Sequence, residues 1–184
     1  MAAITAAEIL FKLSITTGTA GNAAAQPNPN ASLGRWVSTT QLSGTALNNL
    51  FDDVSGAENT AGTTDYRCVF VHNSNTANAL QNAVLYLQGG DPAGGSTVTI
   101  AVDTTAPSAL AATVAQADTI ANENTAPTLV GAFSAPTTAA AGLALGTIGI
   151  GQVKAFWVRR VTSGAAAVNA ETVTFAVTGD TGAA

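Results

Sequence analysis

The sequence predicts an all-β fold: an antiparallel β-sandwich, jelly-roll or immunoglobulin-like, with an N-terminal strand and arm extension. Three observations lead there. Short runs of alternating apolar and polar residues recur between Ile9 and Val177, the period of two expected of strands half-buried in a sheet. Turn residues separate most of these runs. Long amphipathic helices are missing, so two apolar sheet faces must bury each other.

The elements follow in chain order. Thr5-Ala-Ala-Glu8 has capping-box spacing and opens one helical turn. Ile9, Phe11, Leu13 and Ile15 then alternate with Leu10, Lys12 and Ser14, a strand. Residues 16–31, rich in Gly, Thr, Asn and Ala with Pro27 and Pro29, read as an irregular loop or arm. Leu33 to Thr40, with Trp36 and Val37, reads as a short extended piece. Leu47, Leu50 and Phe51 have the spacing of a single helical turn, and Asp52 to Glu58 reads as a turn-rich loop.

The pattern sharpens after residue 64. Tyr66, Cys68 and Phe70 alternate with Arg67, Val69 and Val71, apolar on both faces, as in a central strand covered on both sides. Asn73 to Asn78 is a polar loop. Ala83 to Gln88 is a second apolar strand, and Gly89 to Gly95 reads as a hairpin connection. Val98, Ile100 and Val102 alternate with Thr97, Thr99 and Ala101 in a clean half-buried strand. Thr104 to Gly142 is rich in Ala, Thr and Pro. Within it, Ser108 to Ala117 reads as helix by alanine content or as strand by Thr113 and Val114, and Leu129 to Phe133 as a short edge segment. Strands resume at Leu143 to Ile150, at Val153 to Val161 and at Glu171 to Thr178, the last with Val173, Phe175 and Val177 facing inward. The expected division is a sandwich core over 64–184 and an added strand with an arm over 1–63. No period of 20–50 residues repeats, which excludes a solenoid.

Composition narrows the function. Asp, Glu, Lys and Arg make up 9% of the chain, against about a quarter in an ordinary soluble domain. Ala, Thr, Gly, Ser and Asn take their place, leaving few acids, bases or metal ligands but many side chains suited to close packing. Net charge is −5 and no basic run exceeds Arg159-Arg160, so nucleic acid is not an expected ligand. One cysteine, Cys68, allows no intrachain disulfide and fits a reducing compartment. No basic region precedes the first apolar residues, so no signal peptide is expected. No apolar stretch is long enough for a membrane span.

Each motif has a bland reading that outweighs a chemical one. His72 is the only histidine and reads as a strand-end residue. With Cys68 it supplies two ligands where a structural zinc site needs four. Asp52, Asp53 and Glu58 fail the EF-hand pattern, whose third and fifth positions would be Val54 and Gly56. Gly89–Gly95 lacks the Lys-Ser/Thr ending of a P-loop, and Gly146–Gly151 lacks the dinucleotide fingerprint and reads as a strand–turn–strand link. No Gly-x-Ser-x-Gly elbow occurs. Asn30-Ala-Ser32 has the form of a glycosylation acceptor but carries no meaning without secretion. Arg159 and Arg160 fall on opposite strand faces. One is expected to pair with Glu171 or Asp180 across a hairpin to the last strand, the other to stack on an aromatic ring. The expectation is a non-enzyme with no catalytic residue, no metal and no cofactor.

Three segments carry a resemblance. They are Phe51-Asp-Asp-Val-Ser-Gly with Asp65-Tyr-Arg-Cys-Val-Phe-Val-His-Asn73, then Ile120-Ala-Asn-Glu-Asn-Thr-Ala-Pro127 with Phe133-Ser-Ala-Pro136, and Phe156-Trp-Val-Arg-Arg160 leading into Phe175-Ala-Val-Thr-Gly-Asp-Thr181. Together, from about Leu33 onward, the chain resembles tailed-bacteriophage virion structural proteins with β-sandwich domains, most of all head decoration (cement) proteins. The resemblance implies a virion component assembled in the host cytoplasm. It would be a homo-oligomer, a trimer by preference, that binds the major capsid protein or other virion proteins and reinforces the shell. The strand residues Ile9, Phe11, Leu13 and Ile15, with Trp36, are the expected subunit contacts, because an apolar arm strand must pair with its own sandwich or with a partner. A tail, baseplate or fibre component is the first alternative. A carbohydrate-binding adhesion module, with Trp36 and Trp157 as platforms, is the second.

Overall fold

A computed structural model describes residues 3–89, 95–162, 164 and 171–183. Nine strands form two antiparallel sheets packed face to face. They are β1 (Ile9–Ile15), β2 (Trp36–Gln41), β3 (Thr64–Asn73), β4 (Asn78–Gln88), β5 (Ser96–Val102), β6 (Ser108–Ala109), β7 (Leu143–Ile148), β8 (Gln152–Thr162) and β9 (Thr174–Ala183). The large sheet runs β2-β1-β3-β8-β5, with β6 paired to β8, and the small sheet runs β7-β4-β9. The order β1-β3-β8-β5 opposite β4-β9 is the A-B-E-D and C-F order of an immunoglobulin-type sandwich. β7 is added on the far side of β4, and no described strand lies beyond β9.

The alternation seen in the sequence becomes two faces of the large sheet. Leu13, Val69, Val71, Val98, Ile100, Phe156 and Val158 point toward the small sheet and meet Leu80, Leu85, Leu87, Leu145 and Ile148. The opposite face carries Val37, Cys68, Phe70, Val153, Ala155 and Trp157. No second sheet covers it. Irregular chain does, through Leu33, Leu110, Ala117, Ile120, Val130 and Phe133. The molecule is therefore three layers thick, and the outer layer is loop.

A loop layer needs other partners for its backbone polar groups, because it lacks a ladder. Buried polar side chains supply them. Asp103, fully buried, accepts from the N–H groups of Thr105 (2.8 Å) and Asp118 (2.9 Å) and from Trp157 Nε1 (2.9 Å). Gln116 accepts from Val37 N–H (3.0 Å) and donates to Ala109 O (2.8 Å). Ser32 donates to Cys68 O (2.7 Å) and accepts from Ser14 N–H (2.8 Å). Gly34 (φ +94°) crosses so close to the cover that a Cβ there would sit 1.9 Å from Asp118 O, so no other residue fits.

Several expectations are corrected. β4 and β5 belong to different sheets, so the link between them is a crossing and not a hairpin; residues 90–94 of that link lie outside the described residues. The Leu47–Phe51 cluster forms turns, whereas a short helix α1 (Gly56–Ala61) occupies the expected Asp52–Glu58 loop. A capping box opens it: Ser55 Oγ accepts from Glu58 N–H (3.2 Å) and Glu58 Oε2 from Ser55 N–H (2.7 Å). Ser108 to Ala117 contributes two strand residues and turns, not a helix.

Candidate interaction surfaces

The residues expected to touch a neighbouring subunit lie on β1 and β2 of this chain's own sandwich. β1 sits between β2 and β3, with Phe11 opposite Val71 and Leu13 opposite Val69. Leu13, Ile15 and Trp36 are buried. Ile9 and Phe11 are half-buried and pack on the core, where the Phe11 ring meets Phe156 edge-on at 6.2 Å. Burial inside the sandwich covers Leu13, Ile15 and Trp36, while Ile9 and Phe11 keep part of their surface exposed. Trp36 and Trp157, the two possible sugar platforms, are 3% and 0% exposed, so neither ring is presented to a ligand.

His72 is buried near the end of β3, and Nδ1 has no hydrogen-bond partner among the described residues. Burial pushes its pKa below the ordinary value, and the Lys12 charge adds to that. Cys68 is fully buried, and desolvation raises its thiol well above the usual range. That is the opposite of what a nucleophile needs. Asp52 accepts from Asn30 and pairs with Arg160, and Glu58 caps α1. Among the described residues, no group of three or more His, Cys, Asp or Glu comes together to hold a metal ion. No described helix is long and apolar enough to cross a membrane.

The arginine expectation is half met. Arg159 stacks over Phe133 at 5.0 Å and donates to Thr99 Oγ1. Arg160 turns inward, but its partners are Asp65 (2.8 Å) and Asp52 (3.3 Å). Glu171 and Asp180 are engaged elsewhere, with Ser96 and Asn82, because β9 pairs with β4 in the other sheet and does not form a hairpin with β8. Arg67, fully buried, reaches Glu123, Asn30 and the Leu50 carbonyl. Both Arg67 and Arg160 lie over the Phe51 ring, at 5.1 and 4.6 Å. Residues distant in sequence are thus bound into one ionic cluster around two buried arginines.

That cluster exposes a wider rule of this molecule. The chain has six cations. Lys12, Arg67, Lys154 and Arg160 are buried, Arg159 is partly covered, and Arg35 alone is exposed. Lys154 donates to the carbonyls of Asp103 and Thr105, and Lys12 to Asn22. Burial lowers the pKa of both lysines. Most of the positive charge therefore ties loops to sheets, and the exterior keeps Arg35 with part of Arg159. The cover, residues 104–142, has two charged side chains, Asp118 and Glu123, and both are committed internally. Desolvation pushes the Asp118 pKa up, but N–H bonds from Leu129, Thr128 and Thr119 outweigh it and hold the carboxyl below its usual value. What the cover presents outward is Ala and Thr with Asn122, Asn124 and Gly131, and Val114 and Leu129 are well exposed.

No protein-family model matches this chain. Neither a curated protein sequence nor a solved structure matches it. The functional reading therefore rests on residues and geometry.

Proposed function

We propose that this protein is a non-enzymatic structural component of a virion, a decoration (cement) protein that binds the outer head surface and stabilises the shell. The observation that supports it most is the outward face of the cover over 104–142, small and nearly free of charge. A face of small uncharged side chains desolvates cheaply, so contact with a neighbour through it carries little penalty for stripping ions of water. Each copy buries a modest apolar area, and repetition over a lattice multiplies the effect. A homo-oligomer, a trimer by preference, raises the avidity of each attachment, and the major capsid protein is the expected partner. The resemblance of the three segments quoted above to phage virion proteins points the same way.

The test is reconstitution. Purified protein is added to heads that lack it, and bound protein is measured after sedimentation of the particles. Binding that saturates at a fixed ratio to the capsid protein, and that raises the temperature at which heads release DNA, supports the reading. Absence of binding to heads together with binding to tails moves the protein to the tail, baseplate or fibre alternative.

A further inference from the structure

The small sheet ends on β9, and that edge is open. Among the described residues, β9 shares its ladder with β4 alone. Both edges of the large sheet are covered: β2 exchanges backbone bonds with Asn22 and Ala24, and β5 with Gly131 and Ser134. The direction of the free groups on β9 follows from one bond. Leu87 N–H donates to Pro136 O at 2.8 Å, away from β9. In an antiparallel pair, opposed residues turn their backbone groups either both toward or both away from each other, and the pattern alternates. Phe175, opposite Leu87, and Val177, opposite Leu85, therefore point their N–H and C=O groups into the open edge.

Two clefts lie along it. One, of about 760 Å³, is lined by Phe175 with Phe11, Leu42 and Leu47. The other, of about 260 Å³, is lined by Val177 with Ile4 and Ile9. In strand order this is the place of the G strand of an immunoglobulin-type sandwich, next to F. β9 has no Lys and no Pro, two of the devices that blunt an edge, and the irregularity of its ladder, between Gln81 and Val84, lies away from Phe175 and Val177.

We propose that the β9 edge takes up an extended strand from a different protein, one that alternates apolar and polar residues and carries a Lys or Arg at its end. Charge selects that occupant. Asp53 and Glu171 both line the larger cleft, and the one cation among its described lining residues, Arg160, is already held by Asp65 and Asp52. A second copy fits poorly. Antiparallel pairing of two β9 strands sets the Glu171 end of one beside the Asp180 end of the other, and the exterior offers no cation but Arg35 and part of Arg159. Main-chain bonds would supply affinity and the clefts would select side chains. The inference does not rest on a head location; it requires a strand donor wherever the protein sits.

The test uses the full-length protein and a dansylated peptide, Lys-Thr-Val-Thr-Ile-Thr-Val-Lys. The expected result is saturable binding, with the amides of Phe175 and Val177 exchanging freely in the free protein and becoming protected in the complex. N-methylation of the peptide along one edge should abolish binding. Val177→Pro removes an outward donor without touching the β4 ladder and should weaken binding about tenfold. Asp53→Lys should weaken it about threefold at low salt. No saturable binding, or binding indifferent to N-methylation, overturns the proposal, and that experiment needs no variant to fold. A dimer of the protein alone that Val177→Pro dissociates would overturn the choice of a foreign strand.

Discussion

Asp103→Ala is expected to destabilise the protein by about 4 kcal/mol. The carboxylate accepts three N–H bonds from two different layers: Thr105 and Asp118 in the cover and Trp157 in the large sheet. Lys154 Nζ donates to the backbone carbonyl of Asp103 at 2.7 Å, and its charge attracts the Asp103 carboxylate. A hydrogen bond to a charged group contributes about 1.5–3 kcal/mol, and leaving a buried donor unpaired costs about as much. Three such bonds sum to more than 4 kcal/mol, but one residue holds all three and the cover can relax, so the effect falls near the upper end for single substitutions. Asp103→Asn keeps one acceptor oxygen and sets its NH₂ against the Thr105 N–H, a loss of about 2 kcal/mol. In a chain of this size 1 kcal/mol lowers Tm by about 2–4 °C, so the alanine variant should melt about 8–16 °C lower. Urea unfolding followed by Trp fluorescence measures both variants. An alanine variant within about 1 kcal/mol of wild type, or an asparagine variant less stable than the alanine one, would refute the claim that this carboxylate fastens the cover.

Three further outcomes are expected. His72 has a folded pKa below its ordinary 6.5, so the unfolded chain binds the proton first. Its contribution is fully present above 6.5 and is lost as pH falls toward the folded value; urea midpoints at pH 7.5 and 5.5 should converge more in His72→Phe than in wild type. Cys68 should be silent toward a thiol reagent in native buffer and react once in denaturant; rapid native labelling would contradict its burial. Removal of residues 1–15 deletes the strand between β2 and β3, so the truncated chain should lose its cooperative melt, and a folded truncation would show β1 to be dispensable.

Much of the sandwich was legible because a strand with one or two apolar faces writes its period into the sequence. Tyr66 to Val71 announced a central strand covered on both sides, and β3 is that strand. Pairing was less legible. Val173, Phe175 and Val177 showed which way they face, but nothing local showed that β9 joins β4, since partners 90 residues apart share no turn. The cover escaped for a different reason. Thr104 to Gly142 has no period, because Asp103, Gln116 and Asp118 side chains hold its backbone in place of a ladder. The apolar N-terminal strand was read as a subunit contact on account of its hydrophobicity. Hydrophobicity marks burial without naming what does the burying, and here the chain's own β3 does so. One of Arg159 and Arg160 was read as pairing with Glu171 or Asp180, but the acids that hold Arg160, Asp65 and Asp52, come from a strand neighbour and a loop that only the fold brings together.

The most direct measurement of the proposed role is the copy number of this protein in purified particles, by quantitative mass spectrometry with heads and tails separated. A decoration role predicts copies on the heads in a fixed ratio to the major capsid protein, hundreds per particle as an order of magnitude for a lattice-wide contact. A few copies travelling with the tails, or none in either fraction, would contradict it.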